Sequence, residues 1–171
     1  MKTLTRVLFF AALILISVSA GAQSLKIGYI DSNEVMNIMP ERDSIEVALM
    51  KFQQQLEKEL KAMATEYQTK VTSYQNDMAT MSNLVKQSKE KEITDLQNRI
   101  QEFQQNADQE FNDKRIELLN PLIDKVKKAI DDVGKENNYT YILDSATGVI
   151  LHIGPNAENV LTLVKAKLKL K

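Results

Sequence analysis

Residues 45–85 read IEVALMKFQQQLEKELKAMATEYQTKVTSYQNDMATMSNLV, and the spacing of their apolar side chains decides the fold. Ile45, Leu49, Phe52, Leu56, Leu60, Met63, Tyr67, Val71, Tyr74, Met78, Met81 and Val85 follow one another at steps of three or four. The stripe covers 40 residues in 11 steps, or about 3.64 residues per step, where a heptad seam needs 3.5 and an eleven-residue repeat ~3.67. Ile45, Leu56, Tyr67 and Met78 show the eleven-residue interval directly. The period predicts a long helix that is nearly straight or faintly right-handed.

A second stripe follows with the same mean period: Ile93, Leu96, Ile100, Phe103, Ala107 and Phe111, then, past a polar gap, Leu118, Leu122, Val126, Ala129 and Val133. Between the stripes, residues 82–91 are polar and charged except for Leu84 and Val85, so the chain is expected to reverse there although neither Gly nor Pro marks a turn. One continuous helix of ~95 residues, about 140 Å long, is the physical alternative. The matched stripes favour an antiparallel hairpin arm over residues 45–133, each rod roughly 65 Å long. Pro121 falls inside the second rod, where a proline removes a hydrogen bond and bends the helix. It reads either as a hinge between a fixed base and a mobile arm or as a tolerated bend.

Outside the rods the pattern turns to strand. Leu25-Lys26-Ile27-Gly28-Tyr29-Ile30-Asp31 has strand composition, and Asp31 with Glu34 three residues on predicts the start of a short helix ending before Pro40. Tyr139 to Asp144 and Val149 to Ile153 flank a Ser-Ala-Thr-Gly loop and are expected to pair as a hairpin. Asn156 or Asn159 can cap a final helix carrying Val160, Leu161, Leu163, Val164 and Leu168. The fold class expected is therefore α+β, mostly α, with one long helical hairpin on a small three-stranded body formed by residues 23–44 and 134–171.

The first residues set the compartment. Lys2 and Arg6 precede an apolar run over residues 7–18 broken only by Ser17, and Ala20-Gly21-Ala22 before Gln23 fits a leader-peptidase site. That run is short for a bilayer span, which needs ~20 residues, so a cleaved signal peptide over residues 1–22 is expected in preference to an uncleaved anchor. Without it the chain has 149 residues, with 20 Lys+Arg against 23 Asp+Glu, because only Lys2 and Arg6 leave. A mildly acidic chain argues against nucleic-acid binding. The chain has no cysteine, hence no disulfide, thiolate metal ligand or lipid-attachment site.

Some 60 residues of body, in two pieces and without staples, make a poor core on their own. The strands nevertheless carry apolar residues on both faces, and a three-stranded sheet leaves two open edges. A homo-oligomer joined at the sheet is expected, with Ile27, Tyr29, Ile30, Tyr141, Ile142, Leu143, Val149 and Leu151 as its core. Met78, Met81, Leu84 and Val85 near the tip are candidate contacts for a partner of variable shape, because methionine is unbranched and polarizable; plain packing at the hairpin end is the alternative. Catalysis finds no support: His152 is the one histidine, placed mid-strand, and there is no phosphate loop or metal-ligand spacing. No cofactor is expected.

The opening Lys26-Ile27-Gly28-Tyr29-Ile30-Asp31, the long hairpin, and the closing Asn138 to Asp144 with Gly148-Val149-Ile150-Leu151 resemble the Skp/OmpH family of periplasmic chaperones. Pro121 within Leu118-Leu119-Asn120-Pro121-Leu122 is similar to the family's pattern ahead of its closing strands. The resemblance spans essentially the whole mature chain. It implies a jellyfish-like homotrimer in which three sheets form a barrel and three arms enclose a cavity that holds unfolded outer-membrane β-barrel proteins without ATP. Well-known members are strongly basic, whereas this chain is net acidic, which weighs against lipopolysaccharide and electrostatic capture of clients; contact with a membrane surface stays open. The rival reading is a structural or tethering coiled coil of the cell envelope.

Overall fold

The computed structural model of the protein describes residues 25–170. The expected leader and its cleavage residues Ala20, Ala22 and Gln23 lie outside the described residues. The elements run β1 (Ile27–Ile30), α1 (Ser32–Asn37), α2 (Glu41–Asp77), α3 (Asn83–Glu136), β2 (Tyr141–Asp144), a 3-10 turn (Ser145–Thr147), β3 (Glu158–Asn159) and α4 (Leu161–Lys167).

The two rods are α2 and α3, and they form the hairpin. Every apolar position of the first stripe from Ile45 to Tyr74 is half-buried, and Leu96 on the second is fully buried. Cross-rod pairs set the antiparallel register: Lys70 Nζ donates to Glu92 at 3.1 Å, the Tyr74 hydroxyl to Glu90, and Lys125 to Glu41. Exposed pairs of this kind add little stability and mainly fix alignment. The reversal is earlier and tighter than the composition suggests. Helix α2 ends at Asp77, whose carbonyl accepts from the Thr80 amide at 3.0 Å. Ser82 then starts α3, its hydroxyl accepting from the Val85 amide at 3.4 Å. Residues 83–91, expected in the turn, are the first turns of α3. Pro121 sits inside α3, which continues unbroken on either side of it.

The body forms where the rods end. Asp31 caps α1 by accepting from the amides of Asn33 and Glu34, as its sequence position predicts. At the end of α3, Asn138 adopts a left-handed φ of 56° and the Tyr139 amide bonds back to the Gly134 carbonyl at 3.0 Å. This helix-ending turn suits Asn, whose short polar side chain tolerates that region. It delivers β2 alongside β1 in parallel, with Ile27 opposite Tyr141 and Tyr29 opposite Leu143.

The third strand corrects the expected hairpin. Residues 149–153 are not a strand and do not pair with β2; the sheet order is β2-β1-β3, and β3 is the two-residue Glu158–Asn159, parallel to β1. Turn chemistry overrides strand composition here. Asp144 caps the 3-10 turn through the Ala146 amide, Ser145 Oγ donates to the Ile30 carbonyl at 3.1 Å, and Gly148 takes a left-handed φ of 69°. The chain is drawn across the end of β1 instead of folding back along β2. His152 consequently lies in an exposed connection and not in a strand.

One apolar core unites these parts. Ile30, Val35 and Met39 pack with Leu122, Val126, Ala129 and Val133 of α3 and with Val160 and Val164 of the closing segment. Each of these side chains larger than alanine contributes roughly 1.5–3 kcal/mol on burial. The last turns of the second rod are thus the floor of the body as well as the root of the arm. Asn159 Oδ1 accepts from the Leu161 amide at 2.9 Å, which starts α4.

Candidate assembly surface

Strand alternation sorts the sheet residues into two sets. Gly28 and Ile30 point inward and are buried, and Ile142 packs against the same core. Ile27 and Tyr29 lie on the opposite face, and the register places Tyr141 and Leu143 beside them. Tyr141 is 59% exposed and Leu143 44%. Four large side chains therefore form a contiguous sheet face that, among the described residues, is exposed on β2 and half-buried on β1. Of the eight residues predicted for an oligomer core, Ile30 and Ile142 serve the subunit's own core instead. Val149 and Leu151, in the unpaired connection, are more exposed still.

On the other, core-facing side the margin of the sheet is held by a polar clamp. Lys26 Nζ lies 4.0 Å over the Tyr139 ring and donates to the Asn137 carbonyl at 3.2 Å. The Tyr139 hydroxyl donates to Glu158, and burial together with that carboxylate pushes the phenol up to about 12. Glu158 is held below the ordinary carboxylate range by the same hydroxyl and by Lys26.

Asp144 ties β2 to α1. It accepts from the Ser32 amide at 3.1 Å, the Ser32 hydroxyl at 2.6 Å and the Ala146 amide at 3.0 Å. Burial pushes its carboxyl up, but the Ser32 hydroxyl and the two amides outweigh this and leave it below the usual range. A carboxylate with a depressed folded pKa stabilises fully above its unfolded value of ~3.9 and loses that contribution as pH falls through the folded value. Asp144→Ala is expected to cost about 2 kcal/mol at pH 7, with the gap to the native chain narrowing below pH ~4. Urea unfolding across pH checks this; a gap independent of pH would assign the loss to packing.

At the arm tip Leu84 is 78% exposed, Met78 and Val85 are exposed and Met81 is half-buried. The structure brings the four together around the reversal, leaving three open to solvent. Val47 and Met50 on α2 and Ile116 on α3 are also exposed. Sequence reasoning passed over them, although their signal was present: each is a large apolar residue off the buried stripe.

A small three-stranded sheet on a compact body, with a paired-helix arm far longer than that body, defines a helical-arm protein with an apolar sheet face. The protein belongs to the OmpH-like outer membrane protein family, whose model matches residues 26–168. The chain is 25% identical over 157 residues to the chaperone protein Skp of Photorhabdus laumondii, covering 91% of this chain and 93% of that one. It is 26% identical over 133 residues to Skp of Photorhabdus luminescens, covering 77% and 81%. A crystal structure from Caulobacter crescentus described as an outer membrane chaperone (OmpH-like) superposes with a TM-score of 0.68 at 16% identity, covering 86% of each chain. The mostly helical fold with its small three-stranded sheet is the family's fold, and the family supports a chaperone role.

Proposed function

We propose that the protein is an exported, ATP-independent holdase that works in the periplasm as a homotrimer and keeps unfolded outer-membrane β-barrel proteins from aggregating. The observation that carries this reading is the apolar sheet face of Ile27, Tyr29, Tyr141 and Leu143, exposed at Tyr141 and Leu143, which copies of the chain can cover by joining sheets. Joined bodies would bring several arms to one side, around a shared space. A client there meets many weak contacts: exposed Met, Val, Ile and Leu set among Gln, Lys and Glu. Unbranched and isolated apolar groups on a polar ground suit partners without fixed shape. With a mature net charge of −3, apolar and hydrogen-bonding contacts carry the affinity more than charge does. Among the described residues no helix is long and apolar enough to cross a membrane. Should Pro121 act as a hinge, it stands next to Leu122, so bending would pivot the arm on a residue fixed in the body core.

The test is suppression of aggregation. Mature protein added at near-stoichiometric trimer to an unfolded outer-membrane β-barrel protein diluted from urea is expected to abolish light scattering without nucleotide. Scattering that proceeds unchanged would favour a tethering coiled coil.

A further inference from the structure

Midway along the arm the seam between the rods is open. Phe103, Ala107 and Phe111 stand one turn apart on one side of α3, and Leu56 and Leu60 face them from α2. Alanine is too small to fill the space between two phenylalanines. A groove of about 410 Å³ remains there, and its apolar walls are only half-buried. Glu57 and Asp108, both exposed, also line it, and no Lys or Arg does. Glu57 accepts from the Gln53 side-chain amide at 2.9 Å. Neither carboxylate has an ion-pair partner among the described residues. The groove also lies where the arm's negative charge is concentrated. The register fixed by Lys70 with Glu92 and Tyr74 with Glu90 sets residues 53–66 beside residues 97–113. Those two stretches hold seven Asp and Glu against three Lys and Arg. Toward the root, residues 41–52 and 114–125 balance at five of each sign, and the tip, residues 67–96, at four of each. The local field at the groove therefore favours a cation.

We propose that this groove is a client subsite, taking a large apolar side chain of an unfolded polypeptide that is flanked in sequence by Lys or Arg. The proposal rests on the holdase reading above and names the class of segment selected. Burial of the apolar side chain between Phe103 and Phe111 supplies most of the affinity. The carboxylates of Glu57 and Asp108 choose among segments, since each exposed pair adds only a little. Lysine and arginine have long flexible stems, so a cation beside the inserted residue can reach a carboxylate while its stem lies along the apolar wall. Charge disfavours the other occupants. An anionic lipid would bring phosphate against the same carboxylates, and the arm of a second copy would bring its own acidic band.

Full-length mature protein is titrated into short fluorescein-labelled peptides that share one Leu-Phe centre and differ only in flanks of Lys, Gln or Glu, and anisotropy gives the Kd. The Lys-flanked peptide is expected to bind about fivefold more tightly than the Gln-flanked one, and the Glu-flanked peptide more weakly than either. Glu57→Gln combined with Asp108→Asn should erase that order. Glu59→Gln combined with Glu110→Gln removes the same charge from outside the groove and should keep it. Ala107→Leu fills the groove and should weaken all three peptides about tenfold. The charge variants alter exposed side chains only, so they decide the matter whether or not Ala107→Leu is tolerated. An order that survives the loss of Glu57 and Asp108, or that both double variants reduce equally, overturns the subsite. A protein that suppresses client aggregation yet shows no flank preference overturns it too and leaves the holdase reading intact; absence of both overturns both.

Discussion

Under the assembly and holdase function proposed above, replacing Tyr141 and Leu143 together with aspartate is expected to give folded monomers and to abolish suppression of aggregation. Both side chains point away from the core on β2, while the inward Ile142 and the capping Asp144 are untouched. The subunit therefore keeps its core and its arm, and circular dichroism should not change. Assembly would instead have to bury two carboxylates per subunit in an apolar face beside Ile27 and Tyr29. An unpaired buried charge costs several kcal/mol even after relaxation, and the cost recurs at every copy, far more than any hydrogen bond at the rim returns. Sedimentation at micromolar protein should show a shift to the monomer mass. In the aggregation assay the variant should fall to background, because one arm cannot enclose a client. Retention of the native mass would mean that the sheet face is not the junction. Loss of mass with full retention of activity would mean that a lone arm suffices and that no cage operates.

The rods were legible because one physical rule, burial of a stripe at helical period, acts over dozens of residues and tolerates local exceptions. The Asp31 cap was legible for the opposite reason: a single side chain satisfies two amides that have no other partner. The reversal was misplaced because polarity was read as turn, whereas residues 83–91 are polar simply because a two-helix arm leaves most of its surface in water. Thr80 and Ser82, through ordinary local hydrogen bonds, mark the real corner. The third strand could not be read from two exposed polar residues, Glu158 and Asn159, whose place depends on β1 being there to receive them. Residues 149–153 looked like a strand on composition alone, and the polar cluster of Asp144 and Ser145 decided their path. The candidate surface was half legible: alternation shows that both sheet faces are apolar, but which residues face inward, notably Ile30 and Ile142, depends on the side from which α3 packs.

A valine in place of Gly28 is expected to destabilise the body. A Cβ there would lie 2.9 Å from Val160 Cγ1 and 3.2 Å from two carbons of the Tyr139 ring. Neither neighbour can yield easily: Val160 is wholly buried, and Tyr139 is pinned by Lys26 on its face and Glu158 at its hydroxyl. Strand propensity favours valine over glycine by at most ~1 kcal/mol, while forcing atoms into a filled site costs ~1–3 kcal/mol for small excesses and more for larger ones. Sterics win, with Gly28→Ala losing about 2 kcal/mol and Gly28→Val at least about 3. Gly134 supplies the control. A Cβ at that position meets only the flexible end of Ile142, at 3.4 Å. Gly134→Ala should therefore gain about 0.5–1 kcal/mol from helix propensity and a stiffer unfolded chain. Urea unfolding of the three variants at one fixed protein concentration, which holds any assembly contribution constant, should give shifts of opposite sign at the two glycines. Shifts of the same sign and size would show that close approach of Val160 and Tyr139 to β1 is not what requires glycine at position 28.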